Sequence, residues 1–460
     1  MQPKRTPSSD LADDKATMLV RRFSFAVEQS TTARVLVVLL ALVGCFLVAW
    51  PLVPQLYGPG KGMDYPLWFS VGRRMLEGGP VYLVTFGGQF DFLYTPFAAL
   101  LLALPSYFGK TALVATLACT TLASWWASIW LSNRLARTGG EISLWLKALP
   151  IIITLPFVYD QFHLGQPNLL LLALMLGGFF LLRLRKPWWA GFPIALATSI
   201  KAFPVLVLPY LLWRRQWRTA LSMVVFMLLF LIVLPGFVRG FERNAREMGQ
   251  WVHGMLLSGD DRQFSQRWDT FGWKNQSLYA VEHRLLRPID AETPGYRSAS
   301  PIYVNLLDLK QRTVDAVFVA TSIVIGLLFM ISIPPKGRLS ASSEGAEIAI
   351  VLLLVVIASP VARSYYFVWL LFPYTVLCHR IATEPNPRRA IAIAIGLGVS
   401  VLLLAVGINA IQPRYPQAAG NFLWATMVVI LTLTACMRSA ALPQPVAAGI
   451  AHGNAPKAER

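Results

Sequence analysis

Charge is what this sequence has least of. Only 14% of its 460 residues are Asp, Glu, Lys or Arg, while 55% are hydrophobic. A soluble domain carries about a quarter charged residues, so a water-soluble globular protein is excluded. Apolar runs recur along almost the whole length, which also excludes a soluble domain on a single anchor. Cysteine is scarce as well. Cys45, Cys119, Cys378 and Cys436 lie within or at the ends of apolar runs, without CxxC or Cys/His ligand spacing. Neither a disulfide framework nor a structural metal is expected. The five histidines, His163, His253, His283, His379 and His452, show no metal-ligand spacing either. GxGxxG, P-loop, GxSxG and HExxH patterns are all missing. No nucleotide site, cofactor or metal is indicated, and an activated donor, if there is one, must be lipid-borne.

What is there is positive charge at the ends of apolar segments. Lys and Arg number 41 against 23 Asp and Glu, a net +18. Most of these cations flank apolar spans, so they read as topological charge and attraction to anionic membrane lipids, with no nucleic-acid partner. Clear spans are 34–53, 111–133, 168–183, 218–236, 313–333, 390–410 and 421–437; shorter ones are 93–107, 188–200, 203–213, 346–359 and 364–380. A helix of about 12 residues reaches about 18 Å, short of a hydrocarbon core of about 30 Å. The short pieces must extend into their flanks or form broken helices sheltered by protein. The fold expected is an all-α polytopic bundle of about 12 transmembrane helices with the N-terminus in the cytoplasm. Residues 1–33 and 441–460 read as disordered cytoplasmic tails. The acids Asp10, Asp13 and Asp14 argue against a signal peptide. The transmembrane domain spans 34–440, with a first outer loop at 54–92 and a large outer segment at 237–311.

Two span counts compete. The favoured one makes 93–107 a crossing, places Lys110 in the cytoplasm and leaves Arg134, Arg137 and Lys147 outside, with 141–165 as an extra non-spanning or re-entrant piece. The other makes 145–160 a full span, brings those three charges inside and makes 93–107 re-entrant. Both bring the same polar islands to the outer face.

Those islands hold the candidate chemistry. Asp64 precedes Trp68, Phe69, Gly72, Met75 and Leu76, one face of an interfacial helix that Gly78-Gly79-Pro80 ends. An acid there is a candidate base, or simply a helix cap. Asp91 stands before Tyr94 at the mouth of the next apolar run, as an interfacial anchor or a partner for a sugar hydroxyl. Gln166 and Asn168 precede an apolar helix and suit either its exposed N–H groups or carbohydrate. Lys201 sits inside an apolar run, where a cation is expensive and usually faces a cavity or a partner. Phosphate pairing is favoured for it over pairing with a carboxylate. Lys274, Asn275 and Gln276 form a polar cluster in the outer segment. Arg363, followed by Tyr366, breaks a long apolar region, to snorkel or to clamp a phosphate.

In order along residues 60–375, these stretches resemble glycosyltransferase family 87, the GT-C-fold enzymes typified by polyprenol-phosphate-mannose-dependent α-1,2-mannosyltransferases. The matching segments are Asp64 through Tyr82, Phe92-Leu93-Tyr94-Thr95-Pro96, Gly165-Gln166-Pro167-Asn168, Arg183 through Trp188, Ala197 through Pro204, Tyr210 through Arg215, Asn275-Gln276-Ser277 and Ser359-Pro360. The resemblance implies a GT-C-like bundle and a polyprenyl-phosphate sugar donor. It also implies inversion at the anomeric carbon on the extracytoplasmic face, with Asp64 as general base toward an acceptor hydroxyl. Mannosyltransferase members often carry a histidine after the Ser-Pro; here Ser364, Tyr365 and Tyr366 stand there, so the sugar is mannose or another. The expectation is an integral membrane enzyme of a bacterial cytoplasmic membrane. It joins sugar to a glycan or glycolipid acceptor, with Lys201, Arg363 and Lys274 on the donor phosphate. Asp91, Tyr94, Gln166, Asn168, Asn275, Gln276 and Tyr366 are expected to bind sugar or acceptor. The rival classes are a transporter or flippase of lipid-linked sugars and a non-catalytic scaffold.

Overall fold

The computed structural model describes residues 31–57, 63–83, 91–137, 142–256, 270–292, 300–333, 341–409 and 414–441. The two tails expected to be disordered lie outside these residues, apart from 31–33 and 441, which are helical. All regular structure described is helical: α1 (Thr31–Tyr57), α2 (Tyr65–Leu76), α3 (Pro96–Tyr107), α4 (Lys110–Ala136), α5 (Leu144–Leu164), α6 (Asn168–Arg183), α7 (Pro187–Ile200), α8 (Val207–Trp213), α9 (Trp217–Leu228) and α10 (Leu234–Arg239). They continue with α11 (Phe241–Leu256), α12 (Leu278–Leu286), α13 (Gln311–Ser332), α14 (Ala341–Ile357), α15 (Leu371–Thr383), α16 (Pro387–Asn409), α17 (Arg414–Ala418) and α18 (Asn421–Ala441). Among these residues five helices are long and apolar enough to cross a membrane, six if the bent pair α5 and α6 is one span. The centre of the bundle is α14 with the segment 364–383, where nearly every side chain is buried.

Contacts sort the helices into two ends. At one end Arg183 Nη1 donates to the Arg134 carbonyl at 3.0 Å and pairs with Glu344 at 2.9 Å. Arg214 forks onto both Glu347 oxygens at 2.6 Å, and Tyr210 Oη donates to the same carboxylate at 2.8 Å. His379 faces Asn133 there, and the charges of Lys147 and Arg137 act on it. At the other end lie Asp64, Leu164, Gln166, Asn168, Lys201 and Ser364. The paired Glu344 and Glu347 allow α14 to begin with two acids inside an otherwise apolar helix, since each is met by an arginine fork.

These contacts go against the favoured arrangement of residues 93–165, in which Arg134 and Arg183 lie on opposite sides. Arg183 bonded to Arg134 puts the α4 terminus at the end where α6 finishes, so Arg134 cannot be outside while Arg183 is inside. Helix α5 is 21 residues long and runs from Lys147 at that end to Leu164 at the other; a 118° bend then returns the chain through α6. Helix α5 thus links the Arg134 end to the Asp64 end, and Lys110, at the opposite terminus of α4, belongs with Asp64. The run 93–107 shrinks to the 12-residue α3, which packs on α2.

The amphipathic helix expected after Asp64 is present as α2. Its apolar face, Tyr65, Trp68, Val71, Gly72 and Met75, is buried, while Arg73 and Glu77 pair on the open face at 2.7 Å. Gly72 lets α3 come close: a Cβ there would stand 2.7 Å from the Leu102 carbonyl and 2.1 Å from Ser106 Oγ. The large outer segment contributes α11 and α12; its parts 257–269 and 293–299 lie outside the described residues.

Candidate active site

Asp64 is docked on the turn that joins α5 to α6. Its amide donates to the Leu164 carbonyl at 3.2 Å, Tyr65 Oη to the Phe162 carbonyl at 2.7 Å, and Trp68 Nε1 to the Gly165 carbonyl at 3.0 Å. A fourth bond runs from Gln166 Nε2 to Asp64 Oδ2 at 2.5 Å. Three of the four use backbone carbonyls left free by the end of α5, so the ragged helix terminus itself is the docking surface. Gly165 ends α5 in the left-handed region, φ +73°. A Cβ there would come within 2.9 Å of Tyr65 Cε1 and 3.1 Å of Trp68 Nε1. Gly165→Ala therefore meets both backbone strain and a clash. A shift of about 1 Å at a reacting group can cost about a hundredfold in rate, and that loss is the expected outcome in a transfer assay on folded protein.

Asp64 occupies the cap position of α2, but its side chain makes no cap bond. The capping alternative is thus set aside by geometry. Its oxygens are turned toward Gln166, whose Oε1 in turn accepts from Tyr94 Oη at 2.8 Å. Tyr94 is held by Trp68 edge-on, ring centroids 5.1 Å apart, and its carbonyl accepts from Tyr82 Oη. Burial raises the Asp64 carboxyl above its ordinary range; the Gln166 bond and the charges of Arg363, Lys201 and His163 pull partly the other way. A carboxylate made more basic by burial yet accompanied by cations is the environment of a base beside an anion site.

Lys201 follows α7, and its ammonium sits among four rings: Tyr366 at 4.1 Å, Tyr94 at 5.3 Å, Tyr365 at 5.5 Å and Phe203 at 5.9 Å. Nζ also donates to Asn168 Oδ1 at 3.3 Å. Rings hold an ammonium by their quadrupole and add no net negative charge, so a caged lysine still presents its charge to an anion. Arg363 opens the 3₁₀ segment Ser364–Leu370, which is pinned by Gln161 Nε2 donating to the Tyr365 carbonyl at 2.6 Å.

Other sequence candidates are engaged within the protein. Asp91 accepts from Arg74 at 2.7 Å and from the Leu83 amide at 3.2 Å, which ties the first outer loop back on α2. Gln166 spends both ends of its amide on Tyr94 and Asp64, and Asn168 spends its own on Lys201 and Gln161. Asp91, Tyr94, Gln166 and Asn168 thus orient the site; their geometry does not present them as sugar ligands.

Asn275 donates to the Thr270 and Pro360 carbonyls and accepts from the Ser277 and Ala362 amides. Gln276 donates to the Trp273 and Gln417 carbonyls and accepts from the Phe422 amide. The pair staples the outer segment to the Pro360–Arg363 turn instead of facing a ligand. Lys274 lies over the Trp273 ring at 5.1 Å beside that staple. Asn275→Ala leaves several buried backbone groups without partners. At about 1–3 kcal/mol for each such group, a clear drop in the melting temperature of the detergent-solubilised protein is expected.

Sequence reasoning passed over Asp160, Gln161 and His163. Asp160 accepts from Ser364 Oγ at 2.6 Å, and His163 Nδ1 accepts from Trp50 Nε1 at 3.2 Å. The available signal is spacing: His163 follows Tyr159 by four residues and Asp160 by three, a helical interval, whereas only the amides Gln166 and Asn168 stand out by residue type.

A family model described as Glycosyltransferase family 87 matches residues 92–360. That stretch includes Tyr94, Gln166, Lys201 and Asn275; Asp64 precedes it and Arg363 just follows it. Two curated relatives carry the name polyprenol-phosphate-mannose-dependent alpha-(1-2)-phosphatidylinositol mannoside mannosyltransferase. The one from Mycobacterium tuberculosis (strain ATCC 25618 / H37Rv) is 29% identical over 33% of this chain and 38% of its own length. The one from Mycolicibacterium smegmatis (strain ATCC 700084 / mc(2)155) is 30% identical over 40% of this chain and 45% of its own. The chain thus spans less than half the length of the curated relatives it matches. No solved structure matches.

Proposed function

Because this chain belongs to glycosyltransferase family 87, we propose that it is an inverting membrane transferase that moves a sugar from a polyprenyl phosphate to a lipid-linked or cell-envelope glycan. The relatives' names support mannose on the donor and a phosphatidylinositol mannoside as the model for the acceptor. The observation that carries the reading is a half-buried carboxylate, fixed by Gln166, under the combined charge of Lys201 and Arg363.

In the step proposed, an acceptor hydroxyl oxygen attacks the anomeric carbon while Asp64 Oδ takes its proton. The bond from that carbon to the phosphate oxygen breaks on the opposite face, and its electron pair leaves with the polyprenyl phosphate. Attack from the face opposite the leaving group inverts the anomeric centre. The leaving phosphate needs charge stabilisation more than a proton, and Lys201 and Arg363 supply it. Lys274 is the third cation proposed for that phosphate. Helix α2, lying in the interface, would admit lipid substrates sideways from the bilayer.

The topology proposed is a GT-C-like bundle of about 12 crossings, some by helices too short to span unaided and sheltered by neighbours. It is supported by the alternation of contacts between two ends, with α5 and α6 each making a traverse. The short turns at the end away from Asp64 hold Arg183, Arg185 and Lys186, then Arg214, Arg215 and Arg218, then Arg380, Arg388 and Arg389. Short basic turns mark the cytoplasmic side, and this supports the reading that Asp64 faces the extracytoplasmic side; the membrane proposed is a bacterial cytoplasmic membrane.

Proteoliposomes supplied with radiolabelled polyprenyl-phosphate mannose and a mannosylated glycolipid test the function. A new glycosidic bond is expected. Transbilayer movement of the donor with no bond formed would favour a flippase and sink the transferase reading.

A further inference from the structure

Beside Asp64, α1 and α5 hold a polar and aromatic cluster that the transfer step above does not use. Tyr159, Asp160 and His163 lie three and four residues apart near the end of α5 and so share one face. The Tyr159 and His163 rings stack, with centroids 5.6 Å apart and planes at 9°. Trp50 of α1 packs on Tyr159 at 5.8 Å and donates to His163 Nδ1. That bond makes Nε2 the proton-bearing nitrogen of the neutral ring and leaves it as a donor. Asp160 uses Oδ2 for Ser364, and among the described residues its Oδ1 receives no hydrogen bond. Trp50, Tyr159, Asp160, His163 and Ser364 are all partly exposed, so the cluster is open to a ligand. Phe46, exposed on the outer side of α1, packs on Trp50 at 5.8 Å and continues the aromatic surface along the helix. Asp64 docks on the carbonyl of Leu164, the residue after His163, which places the cluster next to the proposed base.

We infer that this α1–α5 face is the subsite for the acceptor's terminal sugar, a hexopyranoside. Its C–H face lies on Trp50 and Tyr159, and its hydroxyls meet Asp160 Oδ1 and His163 Nε2. Flat aromatic surface beside a carboxylate and an N–H donor suits a sugar, which has an apolar ring face and hydroxyls that both donate and accept. The carboxylate argues against a phosphate here, so the donor's charged group belongs on the Lys201 and Arg363 side of Asp64. The acceptor's lipid tail then follows α1 past Phe46 into the bilayer. The assignment rests on the glycosyl-transfer reading.

The test uses the full-length protein, polyprenyl-phosphate mannose as donor and octyl α-mannopyranoside as acceptor probe. Asp160→Asn retains an acceptor oxygen for Ser364 but loses the charge that grips the sugar hydroxyl. The acceptor KM is expected to rise about tenfold, the worth of a hydrogen bond to a charged group, with the donor KM unchanged. Trp50→Leu, which removes the stacking face, is expected to raise the same KM and leave the donor's alone. Equilibrium binding of the octyl mannoside, read without turnover, should weaken in parallel. An unchanged acceptor KM in both variants, or a donor KM that rises equally, would overturn the subsite. Asp160-dependent binding of the octyl mannoside by a wild-type protein that transfers no sugar would uphold the subsite and overturn the transfer reading.

Discussion

Asp64→Asn is expected to lower kcat about a thousandfold, within the range that a positioned general base contributes, without harming the fold. Asn keeps an oxygen to accept from Gln166 Nε2, and the docking of this loop rests on backbone bonds from Asp64, Tyr65 and Trp68 that the substitution leaves in place. The effect on stability has the opposite sign from that on activity. Burial raises the folded-state pKa of Asp64 above its unfolded value. Such a group contributes stability that is complete below the unfolded pKa and is lost as pH rises through the folded one. At neutral pH the ionised carboxylate is therefore a burden on the fold, and the Asn variant should melt at or above the wild-type temperature. A scan of detergent-solubilised protein beside the transfer assay checks both signs. Inactivity accompanied by a large fall in melting temperature would instead make Asp64 a structural residue.

Lys201→Met is expected to reduce kcat by about a hundredfold to a thousandfold, as when a donor aimed at developing negative charge is removed. Methionine is similar in length and favourable against aromatic rings, so the cage of Tyr94, Phe203, Tyr365 and Tyr366 should stay filled. The donor KM should rise as well, since the same charge meets the phosphate before and after the bond breaks. Acceptor KM should not move. A variant that retained wild-type kcat would place the phosphate elsewhere, with Arg363 as the first alternative.

The sequence made the membrane class, the amphipathic helix after Asp64 and the distinctive polar positions legible, because each rests on a local rule. An amphipathic run closed by Gly78 and Gly79 becomes α2, read at 66–77 and found at Tyr65–Leu76. A lysine within an apolar run signals a cavity or a partner wherever the run folds. The order of crossings between 93 and 165 was not legible. Segment 93–107 is as apolar as a span but ends after 12 residues on Gly72 of α2. Helix α5 carries Pro150, Pro156 and a polar last turn, which make 141–165 read as a non-spanning or re-entrant piece; it is helical throughout, and that turn bonds inward through Gln161. Roles of amides were equally hidden. Asn and Gln offer the same donors and acceptors to a sugar and to a carbonyl, and only the fold shows that Asn275 and Gln276 face backbone. Tyr366, expected to bind sugar or acceptor, has the ring nearest of the four to Lys201.

The pH dependence of kcat/KM, measured for wild type and for the residual activity of Asp64→Asn, tests the central claim most directly. A base must be ionised to accept the hydroxyl proton, so the wild-type rate should fall as pH drops through the Asp64 pKa. Because burial raises that pKa, the fall should begin above the range of an exposed carboxylate. The account predicts that this acid limb disappears in Asp64→Asn. The same limb at the same pH in the variant would contradict it and assign the proton to another group.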